Sequence, residues 1–96
     1  MRVKYRPAAR ADLVAIAIYT KREWGTDKAG EYLKQLRAFA SSLSEFPQRF
    51  PRHVSRLGSF RKANCGEHLI FYVVEAGTVE IVRVLHNRID VDALLA

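Results

Sequence analysis

The stretch Val79–Asp90, VEIVRVLHNRID, decides the fold. Its first part, Val79–Leu85, is rich in β-branched residues, which strongly favour a β-strand. Both alternating sets of this strand carry apolar side chains, a pattern typical of a strand that is covered on both faces. We therefore predict that it lies inside the sheet rather than at an edge. Ile81 and Leu85 are expected on one face, and Val82 and Val84 on the other.

The end of this strand is basic. Arg83 interrupts the apolar run, and His86 and Arg88 follow at the strand's exit, where a rigid strand fixes their direction. A charge inside an apolar strand is costly unless it is paired or reaches solvent. We predict that Arg83, His86 and Arg88, together with Arg61 from the preceding meander, form a target-binding surface. In the structural alternative, Arg83 pairs with Glu67 or Glu80, and Arg88 with Asp90 or Asp92.

Outward from this strand, the hydrophobic periodicity predicts one α+β domain over residues 1–96. Two amphipathic helices precede a run of strands, so an antiparallel helical hairpin is expected to pack on an antiparallel β-meander that also has an N-terminal strand. The tail Val91–Ala96 is too short to be an independent helix. The predicted elements are a strand Arg2–Arg6, helices from Ala8 to Trp24 and from about Thr26 to Ser44, and strands Ser59–Ala63, Glu67–Val74 and Val79–Leu85.

Between the second helix and the meander, Phe46–Gly58 is expected to be irregular because Pro47 and Pro51 stop a helix and favour turns. This segment is the densest basic patch of the chain. A basic loop with two aromatic residues can grip phosphates, and a solvated loop is the equally weighted alternative. Its basic residues are Arg49, Arg52, His53 and Arg56.

Composition restricts the class of protein. The chain has 96 residues, a net charge of +6 and one cysteine, Cys65. The charge indicates an acidic partner, and a single cysteine fits a reducing cytoplasm. The sequence offers no apolar run near the roughly 20 residues that span a bilayer, so no membrane association is predicted.

The sequence shows little sign of conventional catalysis. The three histidines lack metal-ligand spacing, so neither a metal nor another cofactor is expected. A nucleophile pair of Cys65 and His68 is conceivable, but nothing in the sequence would orient it. His86 can act as a general acid or base, with Arg61 and Arg83 as phosphate clamps, if the protein cleaves RNA.

The segments IVRVLHNRID, HLIFYVV and AARADLVAIAIYTKREWG together resemble the ParE/RelE superfamily of small bacterial toxins, and the ParE branch most closely. The resemblance covers nearly the whole chain. It implies a sheet in which the first strand lies beside the last. It also implies the toxin of a type II toxin–antitoxin module, of the kind associated with plasmid stabilisation.

The ParE branch implies inhibition of DNA gyrase by binding, and neutralisation by a cognate ParD-like antitoxin in a hetero-oligomer. That antitoxin would place apolar side chains in grooves of the toxin and acidic residues against its basic surface. The sequence assigns no antitoxin-binding residues.

The RelE branch implies a different function, ribosome-dependent cleavage of messenger RNA without a metal. The chain departs from that branch because it has no aromatic residue after Tyr72. The third alternative is a relative that has lost toxicity and persists as a binding module.

Overall fold

The computed structural model of the protein describes residues 1–55 and 58–89. Two helices and five strands follow the predicted order, with one additional strand. Pro7 opens the first helix, where its missing N–H costs nothing, and Gly25 separates the two helices at a φ of 90°. The elements are β1 (Arg2–Tyr5), α1 (Pro7–Trp24), α2 (Thr26–Ser42), β2 (Arg52–Ser55), β3 (Gly58–Cys65), β4 (His68–Glu75) and β5 (Thr78–His86).

The sheet has the strand order β1-β5-β4-β3-β2. The run from β2 to β5 is an antiparallel meander, and β1 pairs with β5 in parallel, with Arg2 opposite Thr78 and Tyr5 opposite Ile81. The predicted α+β class is therefore confirmed, as is the neighbourhood of the first and last strands. The strand that decides the fold lies inside the sheet, second from one edge.

Both helices cover the same face of the sheet. Their apolar stripes bury residues spaced three or four apart, such as Leu13 and Ile16 of α1 and Leu33 and Leu36 of α2. These residues meet Ile70, Tyr72, Val79 and Ile81 of the central strands, which are fully or almost fully buried. The opposite face carries a smaller cluster of Phe60, Phe71, Val82 and Leu85.

The predicted faces of β5 are right for Ile81 and Val82 and wrong for Val84 and Leu85, because a β-bulge interrupts the ladder. Tyr72 is opposite Ile81 and Phe71 is opposite Arg83, so Val82 is an extra residue in β5. The extra residue shifts the alternation, so that Val84 packs in the helix-side core with Ile81, while Leu85 joins the opposite face. Strict alternation could not reveal the inserted residue.

The segment predicted to be irregular contains a strand. Residues Arg52–Ser55 form β2 and pair with β3 at the sheet edge. The residues before β2 are held by side chains of the sheet, since Tyr72 donates its hydroxyl to the Pro47 carbonyl (2.7 Å) and Arg61 donates to the Phe50 carbonyl (2.8 Å). Pro51 ends this connection and does not enter the strand.

Neither helix of the described ranges is both long and apolar enough to cross a membrane. The tail Val91–Ala96, the acids Asp90 and Asp92, and Arg56 lie outside the described residues.

Candidate functional site

Arg83 is held by a carboxylate of the first helix. Its Nε and Nη2 groups donate to the two oxygens of Asp12 at 2.7 and 2.9 Å, which is the bidentate geometry that suits a guanidinium. The backbone N–H of Val84 donates to the same carboxylate at 2.9 Å. Asp12 therefore accepts three hydrogen bonds. The hydrogen bond to Asp12 raises the pKa of Arg83 above its ordinary value.

The sheet topology explains why Asp12 is needed. β1 pairs with β5 only as far as Ile81, and Arg6 then leads directly into α1. Beyond that point no strand of the described ranges lies beside the outer edge of β5, and the N–H of Val84 needs another acceptor. The short connection brings α1 across this edge, so that the carboxylate of Asp12 accepts the hydrogen bond that a neighbouring strand would otherwise accept from Val84. Asp12 is consequently half-buried, although it is a charged residue of an amphipathic helix.

The predicted structural partners of Arg83 are wrong. Glu80 forms an ion pair with Arg6 at the junction of β1 and α1. Glu67 is exposed in the turn before β4, and its backbone N–H donates to the hydroxyl of Tyr32. The alternative pairs of Arg88 with Asp90 or Asp92 fall on residues that the structure does not describe.

His86 belongs to a cluster of rings at the end of β5. It lies directly across the ladder from His68, with the ring centroids 5.5 Å apart in an edge-to-face arrangement. His68 in turn contacts Tyr32 of α2, whose hydroxyl lies 2.5 Å from Nδ1 of His68. The backbone N–H of Arg88 donates to Nδ1 of His86 at 3.1 Å. We call Tyr32, His68 and His86 the ring cluster.

The Tyr32 hydroxyl links the β3–β4 turn to His68. It accepts the N–H of Glu67 at 3.1 Å and lies within hydrogen-bond distance of Nδ1 of His68. Burial lowers the pKa of His68, and the nearby His86 lowers it further, while Glu67 has the opposite effect. These effects favour the neutral form of His68, so the ring cluster contains one buried imidazole and one half-buried imidazole.

A glycine makes this arrangement possible. Gly66 has a φ of 58°, a left-handed conformation that favours glycine, and a Cβ at this position would lie 2.9 Å from ring atoms of Tyr32. The tyrosine ring thus rests against the backbone of the β3–β4 turn. The turn and the helix together fix the hydroxyl that orients His68.

Two cavities adjoin His86 and share Tyr19 and His86 in their walls. One, of about 300 Å³, extends toward Asp12 and is mainly apolar; the other, of about 340 Å³, extends toward Trp24 and Arg88. Tyr19 and Trp24 are exposed, and Arg88 is exposed beyond the strand end. The region offers aromatic surface, an imidazole and a cation to a partner, a combination that is common in protein interfaces.

Arg61 lies in another part of the molecule. It is on β3, and β4 separates that strand from β5. Its Nη1 group donates to the carbonyls of Gln48 and Phe50. The structure therefore brings together Arg83, His86 and Arg88 on β5 and its exit, and it does not bring Arg61 to them.

The considered pair of Cys65 and His68 is not assembled for nucleophilic chemistry. The two residues are opposite each other in the β3–β4 hairpin, but the side-chain partner of His68 is Tyr32. Cys65 is buried, and burial raises the pKa of its thiol, which disfavours the reactive thiolate.

A second surface lies on the outer side of α1. Val14 and Ile18 are one turn apart and are 61% and 56% exposed, although the helix already buries another stripe against the sheet. They line an open groove of about 440 Å³. Arg10 and Arg37 border the groove, and its other walls are Tyr5, Leu13 and Ala17. We call this the α1 groove.

The chemistry available at the ring cluster favours binding over RNA cleavage. His68 is buried and bonded to Tyr32, and Arg83 is committed to Asp12. A nuclease needs a base, an acid and a cation that all reach one phosphate. Of the three residues proposed for a nuclease, Arg61 lies elsewhere and Arg83 is bonded to Asp12. His86 is half-exposed at this site.

Sequence reasoning missed Asp12 and Tyr32 because each fits an ordinary helical pattern. Asp12 occurs among charged residues of an amphipathic helix, and Tyr32 occurs in the apolar stripe of α2. One available signal was the short β1–α1 connection, which requires α1 to begin beside the last strand. The sequence indicates His68 as a possible partner of Cys65, and it gives no sign of the contact with Tyr32.

Comparison with known protein families gives a match over most of the chain. The family described as "ParE toxin of type II toxin-antitoxin system, parDE" matches residues 3–91. Toxin ParE1 of Mycobacterium tuberculosis strain H37Rv is 40% identical over 88 residues, which cover 90% of this chain and 89% of that protein. Toxin ParE1 of Caulobacter vibrioides is 33% identical over 87 residues, covering 91% and 90%.

A solved structure shares the fold. A chain from the "Chromosomal ParDE TA system from P. aeruginosa" superposes with a TM-score of 0.76, covering 90% of this chain and 95% of that one. Sequence identity between the two chains is 19%, so this likeness concerns the arrangement of helices and strands.

Proposed function

Since this chain belongs to the ParE toxin family of type II toxin–antitoxin systems, we propose that it inhibits DNA gyrase by binding and is neutralised by a cognate ParD-like antitoxin. The observation that carries the proposal is the α1 groove, an open apolar surface with a cation at its border on each helix. A surface of this kind fits a protein segment better than it fits a small molecule.

The chemistry of the α1 groove defines the segment that would fill it. Val14 and Ile18 offer apolar side chains to water, and such a pair is stabilised when a partner covers it. Arg10 and Arg37 stand on α1 and α2, where they can pair with carboxylates of the same segment. The expected occupant is an antitoxin segment with apolar anchors and acidic residues.

Substitution of Val14 tests this assignment. Val14→Glu adds a buried charge to the interface and should weaken antitoxin binding by about ten- to a hundredfold, the equivalent of roughly 1.5–3 kcal/mol for burial of one such side chain. The measurement is calorimetric titration of the purified chain with the ribbon-helix-helix protein encoded beside it.

The matched control is Val54→Glu, because Val54 is 75% exposed on β2, which is the edge strand at the opposite side of the sheet from β1. Equal losses for the two variants would exclude the α1 groove as the antitoxin site.

Apolar contacts are not screened, so the affinity of the natural chain for the antitoxin should fall only moderately at high salt. Complete dissociation near about 0.5 M salt would show that charge dominates instead.

The surface proposed to meet gyrase is the end of β5. His86 and Arg88 are available there, beside the exposed rings of Tyr19 and Trp24. Arg83 contributes at the same edge in the orientation that Asp12 gives it. The proposed antitoxin surface and the proposed gyrase surface are then different parts of α1 and its surroundings. The protein would act in the cytoplasm. It would be held in a toxin–antitoxin hetero-oligomer until the antitoxin is lost.

Messenger RNA cleavage is the alternative function, and the half-exposed His86 is the observation in its favour. A cleavage assay with ribosome-bound messenger RNA separates the two activities. If RNA is cut, His86→Ala should reduce the rate by roughly 10²–10⁴-fold, as expected for loss of a general acid or base. Intact RNA under conditions in which gyrase is inhibited would support the binding function.

A further inference from the structure

Two arginines face each other across the edge pair of strands, β2 and β3. In the β2–β3 ladder, Arg52 is directly opposite Arg61. Like charges at directly opposed positions of an antiparallel pair destabilise it. An exposed edge position accepts many other side chains. The pairing of β2 with β3 therefore does not explain why two arginines lie opposite each other here.

The three arginines around this position have different degrees of freedom. Arg61 is fixed, since its Nη1 group donates to the carbonyls of Gln48 and Phe50, which leaves its Nε and Nη2 groups as further donors. Arg52 is exposed, and its side chain makes no hydrogen bond or ion pair with the described residues. Arg49 lies with its guanidinium 4.6 Å from the centre of the Phe50 ring.

The positive charges converge near Tyr72. Both Arg61 and Arg49 are close enough to its hydroxyl to lower the pKa of Tyr72, against the larger effect of burial, which raises it. The Tyr72 hydroxyl donates to the carbonyl of Pro47 and so helps to hold the segment that carries Arg49. Two fixed elements, β3 and this segment, thus present cations to the same place.

A small cavity lies beside Tyr72 and Arg61. It has a volume of about 130 Å³, and Arg52, Arg61, Ser59 and Gln48 supply polar groups to its wall. No carboxylate occurs among the described residues that line it. Small-molecule sites usually measure roughly 300–1,000 Å³, so this cavity has room for an anionic group but not for a whole nucleotide.

We propose that the cavity binds one phosphate of a DNA backbone. Two guanidinium groups and a hydroxyl suit the oxygens of a phosphodiester, and a ligand too large for the cavity must continue across the surface. The choice of DNA over RNA rests on the proposed action at gyrase, whereas binding itself requires no gyrase. The contact reads no sequence, because it involves only the backbone.

The first test measures binding of the full-length chain to a short DNA duplex of arbitrary sequence, by fluorescence anisotropy between about 50 and 200 mM salt. Arg52→Gln should weaken binding about tenfold at the low salt, the loss expected for one charge-assisted contact. It should also reduce the slope of log affinity against log salt by about one.

Arg22→Gln is the matched control. Arg22 is exposed on α1, outside the cavity, and the substitution removes the same charge. Its salt slope should equal that of the natural chain. Equal effects of the two substitutions on the slope, or no effect of Arg52→Gln, would overturn the proposal. Because the side chain of Arg52 makes no bond to the described residues, Arg52→Gln is expected to fold, and its far-ultraviolet circular dichroism checks this.

A second test separates DNA from other sources of phosphate. Inorganic phosphate should raise the Tm of the natural chain more than chloride does at equal ionic strength, and Arg52→Gln should remove the difference. If phosphate stabilises in this Arg52-dependent way but DNA affinity does not depend on Arg52, the site takes free phosphate and the DNA assignment is wrong. Tighter, Arg52-dependent binding of an RNA duplex would also overturn it. None of these results depends on whether gyrase is inhibited.

Discussion

Replacement of Asp12 by alanine should destabilise the protein strongly. Its side chain is only 13% exposed, and that of Arg83 is 26% exposed. Removal of one member of a buried ion pair costs roughly 3–5 kcal/mol, because the remaining charge stays unpaired. The N–H of Val84 also loses its acceptor. Water can reach part of Arg83, so we take the lower end, about 3 kcal/mol of unfolding free energy.

This free energy corresponds to a large change in Tm. For a domain of this size each kcal/mol shifts Tm by roughly 4–8 °C, so Asp12→Ala should lower it by about 12–24 °C. Thermal unfolding followed by circular dichroism measures the shift. Glu23→Ala is the control, since Glu23 is an exposed carboxylate of the same helix, and its effect should stay within about 0.5 kcal/mol.

A double-mutant cycle with Arg83→Met isolates the ion pair. Methionine keeps much of the apolar stem of the arginine, so the cycle reports the guanidinium–carboxylate interaction rather than packing. Two charge-assisted hydrogen bonds predict a coupling energy of about 1.5 kcal/mol or more. Independent effects of the two substitutions, or a change in Tm below about 2 °C for Asp12→Ala, would refute the role assigned to Asp12.

Two further predictions concern the ring cluster. Gly66→Ala should cost about 1–3 kcal/mol, and more than Gly77→Ala, because both glycines have a positive φ but only a Cβ at Gly66 meets Tyr32; equal losses in chemical denaturation would disprove the close contact. The pKa of His68 is lowered in the folded protein, so the unfolded chain binds a proton at this residue more readily. The contribution of His68 to stability is therefore complete above pH about 6.5 and declines as the pH falls below that value. The decline is at most about 1.4 kcal/mol per pH unit. His68→Gln should flatten this dependence of Tm on pH, and an unchanged slope would show that another group is responsible.

The sequence was sufficient for the fold where the pattern is local. Nearly continuous apolar runs in β4 and β5, and apolar residues three or four apart in α1 and α2, follow directly from burial, so the order of these elements was predicted. The β-bulge was not, because an inserted residue such as Val82 is as apolar as its neighbours. β2 was missed because Pro47 and Pro51 suggest an irregular chain, while its pairing with β3 is a tertiary contact.

The site was predicted less well because its residues are joined through space. Asp12 and Arg83 are separated by 71 positions, and Tyr32 and His68 by 36. Arg83 and His86 were identified since a polar residue in an apolar strand requires an explanation, whereas Asp12 and Tyr32 violate no helical pattern. Arg61 was grouped with them from its charge alone, although β4 stands between its strand and β5.

Supercoiling of relaxed plasmid by purified DNA gyrase, with the purified chain added, tests the central claim most directly. We predict that the chain inhibits supercoiling or traps gyrase on cleaved DNA, and that prior addition of the cognate antitoxin prevents the effect. Ribosome-bound messenger RNA should stay intact at the same concentrations. Unaffected supercoiling together with cleaved messenger RNA would contradict the account and assign the chain to the nuclease alternative.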